Sequence, residues 1–199
     1  MHATHGRRLA RLTPALPALL LALGLGQAQA IEVTQVQADR SKVSFTFKQM
    51  GVPVTGAFAG ATGTLRFDPA HPETATARIA IDLAGIDAGS QEANDEVVGK
   101  QWLNVKAFPT AEFVASRVEA RGNGYAAIGK LTIKGTTRDL TAPFSFKSEG
   151  TTGVFDGAFV FKRLDFGIGE GIWSDVDTVA NEIEIKFHVV ATGTPAADQ

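Results

Sequence analysis

Phe155–Trp173 reads FDGAFVFKRLDFGIGEGIW, and its first half alternates strictly. Phe155, Gly157, Phe159, Phe161 and Arg163 fall on one face of an extended chain; Asp156, Ala158, Val160 and Lys162 fall on the other. Three Phe at alternate positions call for a dry interior. The Arg that ends the row calls for a carboxylate, a phosphate, a carbonyl or water. The second half, Phe166–Trp173, is a glycine-rich loop that closes on a tryptophan. Such a strand can lead from an apolar interior to a polar mouth, as a binding barrel for an amphiphile requires. It also fits a core strand whose Arg snorkels out at the rim.

The same period of two extends through the chain. Val43, Phe45 and Phe47 alternate with Ser44, Thr46 and Lys48, and Val54–Phe58 resumes the pattern after a turn at Gly51–Pro53. Leu65 and Phe67 share a face, and Ala77, Ile79, Ile81 and Leu83 alternate. In Ala111–Glu119, Phe113 and Ala115 face one way while Val118 is out of phase, which predicts a bulge. Arg121–Gly124 reads as a hairpin turn. In Tyr125–Ile133, Leu131 and Ile133 are in phase and Ile128 is not, which predicts a second bulge or a twist. Leu140, Ala142, Phe144 and Phe146 alternate, with Pro143 on the opposite parity and so expected at an exposed or edge-like position. In the last strand, Val179–Val190, Ile183, Ile185, Phe187 and Val189 face inward. Only Ser90–Leu103 breaks the rhythm. It reads as a short helix with Ser90 as its N-cap, Val97, Val98 and Trp102 on one face, and Gly99 weakening or ending it.

About eight strands at hairpin spacing predict an all-β antiparallel barrel or sandwich, with the helix plugging or crossing one end. The dry face collects Phe45, Phe47, Phe58, Phe67, Phe113, Phe144, Phe146, Phe159, Phe161 and Phe187, together with Ile79, Ile81, Leu131, Ile133 and Ile185. An eight-stranded barrel can fill its interior with side chains or hold one small ligand, and composition does not decide between them.

Arg7, Arg8 and Arg11 precede the apolar run Leu16–Leu25 and then Ala28-Gln29-Ala30. That order describes a secretory signal peptide over residues 1–30, cleaved near Ala30–Ile31, with Sec export favoured over the twin-arginine route. Its removal takes away three arginines and no acid, so the formal charge moves from −2 to −5. An acidic chain excludes nucleic acid as a partner and does not dock on anionic membranes by charge. The remainder forms one domain, 31–191, and a polar tail, 192–199. It has no cysteine, so it has no disulfide, thiol nucleophile or thiolate metal site. The expected location is the periplasm.

Catalytic motifs are lacking. His71 and His188 have no metal partner at useful spacing, and neither G-x-S-x-G nor H-E-x-x-H occurs. Gly167–Gly171 imitates a dinucleotide loop, but Ile172 occupies the third glycine position. Asp165, Glu170, Asp175 and Asp177 cluster in sequence and leave two weaker readings: an enzyme acting on a lipid headgroup, and a calcium site at Asp175-x-Asp177. No catalytic residue, metal ligand or cofactor is assigned.

The order VSFTFKQMGV, GAFAGATGTLRFDP, IAIDLAGIDAG, WLNVKAFPTAEFVAS, GKLTIKGTTRDLTAPFSF and FKRLDFGIGEG resembles the YceI-like family from about Val33 to Ala191. The resemblance implies an extended, lipocalin-like, eight-stranded antiparallel barrel whose lengthwise apolar tunnel holds a polyprenyl chain, such as an isoprenoid quinone or a polyprenyl phosphate. The inward residues named above become tunnel lining. Arg163, Trp173 and Asp165 become candidates for the headgroup end. The ending GIGEGIW is similar to a branch of the family found near or fused to b-type cytochromes, which implies an alternative role in presenting quinone to such a cytochrome. Family members can also form homodimers.

Overall fold

The structure is a computed structural model that describes His2 and residues 31–195. Apart from His2, the expected signal peptide lies outside the described residues. The strands are β1 (Ile31–Val36), β2 (Lys42–Gln49), β3 (Val52–Phe58), β4 (Thr62–Phe67), β5 (Thr76–Asp82), β6 (Ile86–Asp87), β7 (Thr110–Arg121), β8 (Gly124–Ile133), β9 (Thr136–Glu149), β10 (Thr152–Lys162) and β11 (Glu182–Pro195). One helix, α1 (Gln91–Val97), follows β6.

These strands form an eight-staved closed antiparallel barrel, because three staves are kinked in the middle. β1 and β2 make one stave, β3 and β4 the next, and β5 and β6 the third. Accordingly β2 pairs with β3 and β1 with β4, while β4 pairs with β5 and β3 with β6. β11 closes the ring by pairing with β2 along its first half and β1 along its second. Every consecutive stave is antiparallel, so the chain meanders once around the ring and leaves few unpaired backbone groups.

One end carries α1 and the loops 83–109 and 163–181. The other carries the connections 68–75, 122–123 and 150–151, together with the start of β1 and the end of β11. The polar tail after Ala191 is paired with β1 as far as Pro195.

The predicted helix is shorter than Ser90–Leu103, but its start is as expected: the Ser90 Oγ accepts the Ala93 amide. The bulge signalled by Val118 lies between Ala115 and Arg117. β8 has no second bulge. It keeps unbroken register with β9, and Ile128, opposite Arg117, lies on the outer wall. The β7 bulge accounts for Val118, whereas Ile128 is an apolar residue at an ordinary outward position.

Pro143 is exposed, and it stands where a ladder ends. β9 and β10 pair from Thr152–Glu149 only as far as Gly157–Phe144. Beyond that point β9 stays on β8 down to Thr136, and β10 stays on β11 down to Lys162. A proline has no amide proton to donate to a ladder. Past this seam, the Lys134 Nζ in the β8–β9 turn reaches across to the Gly167 carbonyl at 2.5 Å and the Glu170 carboxylate at 2.8 Å.

An aromatic cluster fills the end opposite α1. The Phe67 ring, 1% exposed, touches Phe146 (4.9 Å between centroids), Tyr125 (5.1 Å), Phe155 (5.4 Å) and Phe144 (5.8 Å). Mostly edge-on packing of this kind adds to area burial. Phe67→Ala is expected to lower the unfolding free energy by about 3 kcal/mol, read from urea denaturation. A loss below about 1 kcal/mol would mean that the cluster collapses around the missing ring.

Candidate ligand cavity and its mouth

The alternating strands put their apolar faces inward, yet the barrel is not filled. A cavity of about 630 Å³ runs inside it, well within the range of small-molecule sites. Its lining comes from every stave and extends from Phe67, Phe144 and Phe155 to Trp102, Ile168 and Trp173. Phe47, Phe58, Ile79, Ile81, Phe113, Phe159, Phe161, Ile185 and Phe187 all point in and all line this space, but are only half-buried. Ring on ring across the barrel would have buried them completely.

Two glycines let rings lie flat against the wall. A Cβ at Gly157 would collide with the Phe187 ring, and one at Gly56 with the Phe45 ring. Thus Gly157, at an inward position of the opening stretch, makes room for a neighbouring aromatic.

Of the lining residues expected from sequence, Phe45, Phe47, Phe58, Phe67, Ile79, Ile81, Phe113, Leu131, Ile133, Phe144, Phe159, Phe161, Trp173, Ile185 and Phe187 all face the cavity. Phe146 does not; its ring packs on Phe67 and Phe155.

Arg163 is the main correction. Its side chain is fully buried rather than presented at a mouth. The Nε donates to the Ala180 carbonyl, Nη1 to those of Ile168 and Gly169, and Nη2 to those of Trp173 and Val179, at 2.7–3.1 Å. Five N–H donors meet five backbone acceptors, which is the full capacity of a guanidinium. Trp102 lies 5.7 Å from the guanidinium carbon, within cation–π range. Burial pushes the guanidinium below its ordinary value, but arginine stays protonated. Arg163 therefore gathers the loop 168–180 around itself and has no donor left for a headgroup.

Gly169, at φ +76°, is required beside it, because a Cβ there would strike Nη1. Asp165 is exposed and does not line the cavity, and neither do Glu170, Asp175 or Asp177. Among the described residues no group of three or more His, Asp or Glu could hold a metal ion.

The mouth lies at the α1 end. Gln49, Ser90, Glu92 and Glu96 line the cavity and are also exposed. Glu96 accepts a hydrogen bond from the Trp102 indole at 3.2 Å, and Trp102 packs on Trp173 at 5.4 Å. Sequence reasoning placed Trp102 on the apolar side of a helix but missed Gln49, Glu92 and Glu96 as mouth residues. The helical spacing of Glu92 and Glu96 puts them on one face, and that was the available signal.

Two carboxylates hold the loops of this end. Lys134 holds Glu170 below its usual carboxylate value, and the Asp177 amide and the Thr178 hydroxyl do the same for Asp175. Both folded values are depressed. Their stabilisation is therefore complete above the ordinary carboxylate range and disappears as pH falls through the lowered values. Amide exchange in residues 163–181 is expected to accelerate over that acidic window before the strands loosen. Equal acceleration everywhere would count against these contacts as local clamps.

A closed antiparallel barrel around an apolar cavity, with its polar groups gathered at one mouth, defines a lipocalin-like binding fold. The chain belongs to the YceI-like family, whose domain matches residues 35–191. Among solved structures, Burkholderia cenocepacia BcnA is 44% identical and covers 79% of this chain and 99% of its own, with a TM-score of 0.76. A Saccharophagus degradans protein described as a polyisoprenoid binding domain implicated in plant cell wall breakdown shares the fold. It has a TM-score of 0.62 at 13% identity and covers 82% of this chain and 99% of its own. A Yersinia pestis protein named only UPF0312 is 28% identical over 185 residues, which is 85% of this chain and 94% of that protein.

Proposed function

We propose that this protein is a non-catalytic carrier that holds an amphiphilic isoprenoid lipid in its barrel and works in the periplasm after export. The observation that carries this reading is the unfilled interior. The half-buried Phe and Ile side chains of the lining face a space of about 630 Å³ that the protein itself leaves empty. Each CH₂ placed there contributes roughly 0.8 kcal/mol, so a few prenyl units suffice for tight binding even after ordering costs. The family and the polyisoprenoid-binding description of the Saccharophagus degradans relative support the choice of chain.

The mouth narrows the headgroup. Glu92 and Glu96 face it, while Arg163 is fully engaged elsewhere. A carboxylate rim repels a phosphate and tolerates an uncharged ring, so an isoprenoid quinone fits better than a polyprenyl phosphate. A role beside a membrane b-type cytochrome follows from this reading if the headgroup is redox-active.

Organic extraction of the purified protein followed by mass spectrometry tests the proposal. The expected result is a prenyl-chain lipid at near-stoichiometric amount, with a quinone headgroup. An extract without prenyl lipid, from protein that also fails to take up added quinone, overturns it.

A further inference from the structure

Six large apolar side chains stand out as exposed among the described residues, and four of them gather at the mouth. Met50, in the β2–β3 turn, is 78% exposed, and Val52, the first residue of β3, is 62% exposed. Ile172 is 79% exposed and Val176 48%; both belong to the loop between β10 and β11. Backbone bonds tie these two segments together: the Met50 amide donates to the Thr178 carbonyl, and the Ala180 amide to that of Lys48. Gln49 also bridges Val179. The neighbours in sequence of these exposed residues, Gln49, Val54 and Trp173, line the cavity. The apolar patch is thus continuous with the cavity wall.

We propose that this rim is a membrane-docking surface, through which Met50, Val52, Ile172 and Val176 enter the headgroup region of an uncharged bilayer while the mouth exchanges its lipid. The inference rests on the carrier reading given above. Three observations select a bilayer as the occupant. The patch borders the opening of an apolar cavity, so a surface that covers it lies beside the route of the cargo. Four side chains from two short stretches fall well short of the roughly 800 Å² per partner that a stable dimer buries, whereas apolar tips of this size suit an interface that yields as they enter. The nearby charges include Glu92, Glu96, Glu170, Asp175 and Asp177 against Lys48 and Lys100, all exposed. That excess of acid repels anionic headgroups and leaves apolar burial as the driving force.

Vesicle flotation tests it, using protein purified after expression of the full chain. The expected result is association with phosphatidylcholine vesicles, unchanged or weakened by added phosphatidylglycerol. The double variant Met50→Asp/Ile172→Asp is expected to lose at least about tenfold in association, with an unchanged urea midpoint, since both side chains are largely exposed. Val52→Asp is a second variant with the same expected direction. Failure of the wild-type protein to float, association untouched by these substitutions, or binding that requires phosphatidylglycerol would each overturn the proposal. So would a wild-type dimer that the variants dissolve in sedimentation. Lipid content is read separately by extraction, so a protein that carries prenyl lipid yet ignores vesicles refutes docking alone.

Discussion

Arg163→Met is expected to destabilise the fold by more than about 4 kcal/mol, the largest loss from any single substitution considered for this barrel. Methionine fills a similar length but donates nothing. Five carbonyls, from Ile168, Gly169, Trp173, Val179 and Ala180, would lose their partner together. At least three of those bonds are buried, where an unsatisfied acceptor costs about 1–3 kcal/mol. Arg163→Lys is expected to recover only part of the loss, because an ammonium offers three donors around a point and the site needs a planar fork. Gly169→Ala should act in the same direction by forcing the guanidinium aside. Urea denaturation of the three variants checks the order Met worst, Lys intermediate. Equal, small losses would mean that water replaces the guanidinium.

Filling the cavity should separate binding from stability. Ala127 lies on β8, faces the cavity and is only half-buried, so a larger side chain has room. Ala127→Phe is expected to weaken retention of a prenyl chain by at least about 100-fold, because it removes the space of roughly one five-carbon unit, worth about 3–4 kcal/mol. The urea midpoint should stay level or rise, since the new ring buries itself against existing apolar walls. Titration with a quinone of defined chain length gives the affinity. Unchanged affinity in a stable variant would place the ligand elsewhere.

Much of the barrel is written in parity. Alternation at Phe45/Phe47, Ile79/Ile81, Leu131/Ile133 and Ile185/Phe187 assigns a face to each residue, and a closed ring turns that face into a lining. Parity also put Arg163 inside, correctly. It could not say what Arg163 meets there, because the five acceptors belong to a non-repetitive loop whose path depends on the Arg itself. The glycines were the overlooked hint: Gly167, Gly169 and Gly171 all take positive φ, which lets the loop curl around the guanidinium. The hollow was illegible for a different reason. Whether Phe159 and Phe187 meet rings across the barrel depends on its girth, and girth is set by stave number and stagger. The number, eight, was legible; the stagger was not, because the breaks that split staves such as β1 with β2 do not show in a linear reading. The mouth was missed because Glu92 and Glu96 look like any solvated helix face until Trp102 is placed beneath them.

The stretch where β9 and β10 run unlaced below Pro143 changes what sort of container this is. A hoop fastened all the way round has a circumference fixed by its ladders, and widening it anywhere breaks hydrogen bonds. This hoop has a slit, bounded above by the Gly157–Phe144 pair and below by the buckle that Lys134 makes with Gly167 and Glu170. Its girth can therefore vary along the slit with no ladder bond broken. The wall is laced on both sides of β10 where the Phe67 cluster seals it and on the β11 side alone along Phe159 and Phe161, so this is the stretch that a bulky occupant would spread at least cost. Acidification would undo the Glu170 half of the buckle and leave the Lys134 bond to the Gly167 carbonyl, weakening the same seam from below.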